Sequence, residues 1–105
     1  MENEKVEEHQ ILEQNLQNLL VQKQTFQIEL SETSSALREI ENSKDEIFKI
    51  VGQLMIRTDK EKTKDELSNR EKILEMRLKS IEKQEDALTG KLEKLRDEFI
   101  ASKNN

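Results

Sequence analysis

The 105-residue sequence predicts a mainly α fold, in which two long helices fold back on each other as an antiparallel coiled-coil hairpin. Three observations carry this. The first is composition: 39% of residues are charged, only 32% are hydrophobic, and Pro, Cys, Trp and Tyr are absent. So little apolar material does not fill an ordinary globular core, but it suffices for a narrow stripe on long helices. The second is a pair of heptad runs. The third is a charged break between them.

The first run places His9, Leu12, Leu16, Leu19, Lys23, Phe26, Leu30, Thr33, Leu37, Ile40, Lys44 and Ile47 at a and d positions. Its 4-3 spacing does not slip, which is the coiled-coil period. Lys23, Thr33 and Lys44 are polar flaws in the stripe, and such flaws set register at a cost in stability. The Ser31–Ser35 cluster is mostly weak helix formers and reads as a soft place. A first helix is expected over about 5–45.

The second run keeps the same rhythm through Leu67, Glu71, Leu74, Leu78, Ile81, Glu85, Leu88, Leu92, Leu95 and Phe99. Lys23 can approach Glu85 across the hairpin, in a register that the sequence leaves open. Gly90 falls on the outer face, where Gly is about 1 kcal/mol worse than Ala. The two runs are out of phase, and Thr58–Glu66 between them holds no apolar residue. Thr63-Lys-Asp-Glu66 fits a capping box, and Asp59 is an alternative cap one turn earlier. A second helix is expected over about 61–101.

The stretch IFKIVGQLMIR, residues 47–57, concentrates seven apolar side chains in eleven residues. As helix, it continues the heptad through Ile47, Val51 and Leu54 and leaves Phe48, Ile50, Met55 and Ile56 off the seam. As strand, it is two short β-prone runs turned at Gly52-Gln53. Periodicity leaves both open. Either way it exposes too much apolar surface for a monomer, and oligomerisation through this stretch is expected.

Here the residues resemble a family. Phe48-Lys49-x-Val51-Gly52, Leu54-Met55-Ile56-Arg57 and Asp59-Lys60 are similar to prefoldin β-type subunits of the archaeal kind. Leu74-Glu75-x-Arg77-Leu78 and Ile81-Glu82-Lys83-Gln84-Glu85 strengthen the likeness, which spans roughly residues 10–100. Phe48 stands where Tyr is frequent in the family, a change that leaves burial unaltered.

The resemblance implies one prefoldin-like domain over 1–105, with a β-hairpin at about 46–58. The oligomerisation strands would comprise Ile47, Phe48, Ile50, Val51, Gly52, Leu54, Met55 and Ile56. They would join a β-barrel platform in a cytoplasmic heterohexamer of two α-type and four β-type subunits. The coiled-coil tips would hold unfolded proteins and deliver them to a group II chaperonin without ATP or any other cofactor.

The tip residues implied are Val6, Ile11, Leu12, Leu16, Leu20, Val21, Leu95, Phe99 and Ile100. Several exceed what a seam needs: Ile11 falls at c, Leu20 at e and Val21 at f, with Val6 and Ile100 as similar additions. Non-directional apolar contact suits an unfolded partner.

Other functions find little support. Residues 1–40 carry a charge of −5 and residues 41–105 are neutral, which disfavours nucleic acid and suits a basic protein surface. No run reaches the ~18–20 apolar residues of a membrane span. The N-terminal MENEKVEEHQ lacks an apolar signal core, so no secretion leader is expected. Zero Cys excludes a disulfide staple and is compatible with the cytoplasm. His9 has no evident catalytic partner and reads as a packing residue. Glu7-Glu8 and Glu85-Asp86 read as solvated charge. Arg57–Glu66 balances four bases with four acids, and no phosphate loop or metal-ligand spacing occurs, so no enzyme activity is expected.

Overall fold

The computed structural model describes residues 2–104; Met1 and Asn105, the limits of the expected domain, lie outside them. The element order is α1 (Glu2–Asn42), β1 (Ile47–Val51), β2 (Leu54–Thr58) and α2 (Lys60–Asn104). The chain divides into two compact units. Residues 26–77 form one, and the residues up to 25 with those from 78 onward form the other.

In the unit of residues 26–77 the two helices run antiparallel. Phe26, Leu30, Leu37 and Ile40 on α1 and Leu67 on α2 are half-buried, and Leu74 on α2 is completely buried. The polar seam positions are satisfied locally. Thr33, also buried, donates from Oγ1 to the Glu29 carbonyl one turn earlier at 2.7 Å. Ser34 Oγ donates to Glu71 Oε2 at 2.6 Å across the seam. Arg70 bonds Glu29 at 2.9 Å, and the Arg77 guanidinium stands 5.6 Å from the Phe26 ring centroid. The weak helix formers of Ser31–Ser35 lie inside unbroken helix.

α1 ends at Asn42, short of the expected residue 45. Ser43 N bonds the Ile40 carbonyl at 3.2 Å and tightens the last turn. The last turn contains no basic residue, and the Lys60 ammonium supplies one by bonding the Ser43 carbonyl. Lys44, expected on the seam, therefore lies beyond the helix and is exposed.

The stretch 47–57 resolves as strand. β1 and β2 pair antiparallel, with Ile47 opposite Thr58, Phe48 opposite Arg57, Lys49 opposite Ile56, Ile50 opposite Met55 and Val51 opposite Leu54. Gly52, grouped above with the strands, belongs to the two-residue turn. Its φ is +61°, and among the described residues no non-Gly residue has positive φ. Positive φ at the first turn position alone is the pattern of a type II′ turn, which matches the strand twist.

α2 starts at Lys60, and the choice between caps goes to Asp59. Its Oδ1 accepts from Glu61 N at 2.9 Å and Lys62 N at 3.3 Å. The capping box at Thr63 does not form, because Thr63 is already helical. Its Oγ1 donates back to the Asp59 carbonyl at 2.8 Å.

The second unit holds the N-terminal part of α1 and the C-terminal part of α2, again antiparallel. Leu12, Leu19 and Ile81 are buried, and Leu16, Leu88, Leu92, Leu95 and Phe99 are half-buried. Among the described residues no helix is long and apolar enough to cross a membrane.

Candidate functional surfaces

Two surfaces stand out, one in each unit. The first is the β-hairpin. Opposed residues share a face and alternate residues point oppositely. Phe48, Ile50, Met55 and Arg57 thus form one face, and Ile47, Lys49, Val51, Leu54, Ile56 and Thr58 the other. Both faces are mainly apolar. Only Ile47 and Thr58, nearest the helices, are half-buried; Ile50 remains 71% and Met55 69% exposed. The sheet has two strands, so each strand also has an unpaired edge. Arg57 pairs with Glu46, which keeps one charge engaged beside the apolar face.

Surface of this kind is unfavourable in water, since burying each large apolar side chain fully is worth roughly 1.5–3 kcal/mol. Two strands alone are marginal, and open edges template further pairing.

The second surface lies where the N-terminal end of α1 meets the C-terminal end of α2. A groove of about 350 Å³ is lined by Lys5, Val6, His9, Gln10, Glu13, Leu95, Arg96 and Phe99. His9 Nδ1 lies 3.7 Å from Glu13 Oε1, and the Lys103 ammonium stands 4.8 Å from the Phe99 ring centroid. Of the implied tip residues, Val6, Ile11, Val21 and Ile100 are exposed. Leu12 is instead buried in the seam, and Leu16, Leu20, Leu95 and Phe99 are half-buried. The structure brings Val6, Leu95 and Phe99 together at the groove and leaves Ile11 and Val21 out of its lining.

Sequence reasoning passed over Lys5, Gln10, Glu13 and Arg96 as groove residues and set His9 aside as a packing residue. Extending the heptad one step before His9 puts Lys5 on the seam, and that step would have shown the stripe turning polar on α1 alone. It also passed over Ile28, Ile73 and Met76, which are exposed in the unit of residues 26–77. They fall at f, c and f, positions that a seam count ignores.

The family model described as "Prefoldin subunit" matches residues 3–104. The chain belongs to the prefoldin family. Prefoldins are molecular chaperones, and the coiled-coil helices and the protein-folding role follow with that membership. Its curated relatives include the prefoldin subunit beta of Thermococcus onnurineus, 44% identical over 85 residues that cover 79% of this chain and 73% of the relative. The prefoldin subunit beta of Methanothrix thermoacetophila is 35% identical over 95 residues, covering 89% and 79%. Among solved structures, the crystal structure of the prefoldin beta subunit from Thermococcus strain KS-1 superposes with a TM-score of 0.87. Its identity is 34%, over 95% of this chain and 90% of that one. The prefoldin beta2 subunit of the same strain shares the fold at 18% identity, with a TM-score of 0.74 over 90% and 99%. Two long helices joined by a short antiparallel hairpin is thus the prefoldin β architecture.

Proposed function

We propose that this prefoldin-family chain is an ATP-independent holdase subunit, acting as a single domain over residues 1–105. Its hairpin joins those of α-type partners and further β-type copies in a β-barrel platform of α2β4 composition. Ile47, Phe48, Ile50, Val51, Leu54, Met55 and Ile56 supply the assembly strands, and Gly52 turns them. The helix ends bearing Val6, Leu95, Phe99 and Ile100 hold unfolded polypeptides in the cytoplasm and present them to a group II chaperonin.

The observation that carries this reading is the hairpin with two open edges and apolar side chains on both faces. A coiled-coil scaffold accounts for the helices but leaves that hairpin without a role. Pairing at both edges also explains why the chain keeps a sheet too small to stand alone.

The test mixes this chain with an α-type prefoldin subunit. Native mass spectrometry should show one complex of about six chains, the stoichiometry that the family likeness implies. The complex should suppress aggregation of heat-unfolded citrate synthase without nucleotide. A two-chain helical dimer, or a hexamer with no effect on aggregation, would refute the holdase reading.

A further inference from the structure

Sulfur enters this chain only as methionine: there are three Met and no Cys. Met1 lies outside the described residues. The other two are matched in exposure, Met55 at 69% and Met76 at 70%. They differ in setting. Met55 stands on β2 opposite Ile50 and shares a face of the hairpin with Ile50 and Phe48. Met76 stands on α2 at an f position, off the seam. The other uncharged strand positions hold Ile, Val, Leu, Phe and Thr, mostly the β-branched and aromatic types that favour a strand. Strand formation therefore does not call for Met at position 55. It is the one apolar side chain of the hairpin whose polarity mild oxidation reverses.

We propose that Met55 is a modification site for hydroperoxides, and that its oxidation in the unassembled chain closes the hairpin to its partners. The inference rests on the assembly part of the proposed function and adds a regulation to it. The thioether sulfur attacks one peroxide oxygen, a new S–O bond forms, the O–O bond breaks, and water leaves. Sulfur is oxidised to the sulfoxide as the peroxide is reduced. Susceptibility follows exposure, so free Met55 and free Met76 react alike. Their consequences differ. A sulfoxide is polar and needs hydration or a donor, and burying it unpaired between apolar strands is unfavourable. Arg57, the one charged donor on that face, is turned to Glu46. The sulfoxide of Met76 stays in water and carries no such penalty. Once a partner covers the hairpin, Met55 is out of reach of peroxide, so the site reports on the unassembled chain alone.

The test uses the full chain. It is treated with hydrogen peroxide, quenched with catalase and mixed with an α-type prefoldin subunit. Peptide mass spectrometry follows oxidation at each Met, and native mass spectrometry follows the mixed complex. As Met55 is converted, the yield of complex should fall at least about tenfold, with the helical circular dichroism signal unchanged. Methionine sulfoxide reductases A and B with dithiothreitol should restore it. In the preformed complex Met55 should be protected while Met76 oxidises as before. Met76→Leu should remain as peroxide-sensitive as the parent. Met55→Leu is read as its oxidised yield over its reduced yield, whatever the latter is, and that ratio should be near one.

Equal assembly from chain fully oxidised at Met55 would overturn the inference. So would a loss that tracks Met76, a loss that the reductases do not reverse, or a Met55 that oxidises as fast in the complex as in the free chain. A reduced parent that forms no complex would sink the assembly reading, and the inference with it. A complex that forms from reduced and not from oxidised chain, yet leaves heat-unfolded citrate synthase aggregating, would refute the holdase reading and leave the site standing.

Discussion

Lys23 Nζ lies 3.1 Å from Glu85 Oε1, and the two side chains keep only 26% and 17% of their exposure. The contact bridges two polar flaws in otherwise apolar stripes. It is made off the hydrogen-bonding direction, so the buried Oε1 is compensated by charge without a directed bond. A partly buried pair of this kind adds little net stability, but losing one partner strands the other. Lys23→Ala should destabilise the protein by ~1–3 kcal/mol. Converting both positions to Leu should leave it as stable or more so. Thermal unfolding of the single and double variants checks this, and a neutral Lys23→Ala would remove the pair from any role in alignment.

The turn makes a sharper demand on one residue. A Cβ on Gly52 would meet no atom within 4 Å, so space is not the constraint. The φ of +61° is. Gly52→Val should therefore disfavour the hairpin by at least ~1–2 kcal/mol, through left-handed backbone strain. Gly52→Asn should be tolerated better, since Asn enters that region more readily. Yield of the mixed complex by native mass spectrometry should fall for Val and recover for Asn.

Ile50 and Ile56 lie on opposite faces of the hairpin. Replacing both with Lys should abolish the mixed complex while the far-ultraviolet helical signal persists. Each single change tests one face. If Ile50→Lys alone assembles normally, the face shared by Phe48, Ile50 and Met55 is not buried in the complex.

Asp59 caps α2 through two backbone amides. Asp59→Ala should lower stability by about 1 kcal/mol, and Asp59→Ser should restore most of it. Thr63→Ala tests the rejected capping box: it loses only the bonds to Asp59 and Thr58 and should matter less. Chemical denaturation of the three variants ranks them.

Among the described residues, Leu74 is the one large side chain with no exposure at all. Leu74→Ala should cost about 2–5 kcal/mol. Met76→Ala, two residues away and exposed, should change stability by no more than ~0.5 kcal/mol. A melt in which both fall equally would contradict the seam assignment.

The heptad spacing by itself determined that two helices form and which stripe each buries, because a period near 3.5 is a local property of one chain. It even paired Lys23 with Glu85 as a possibility. It did not decide residues 47–57, where the same apolar letters satisfy a helical stripe and two strands equally. Nor did it choose Asp59 over Thr63, since both have a capping side chain and only the end of β2 at Thr58 selects the nearer one. The groove was half legible: the apolar run to Phe99 and the polar steps at His9 and Lys5 are in the sequence. Seeing that they share one layer requires the alignment of α1 against α2. That alignment is a tertiary fact, and no count along a single helix contains it.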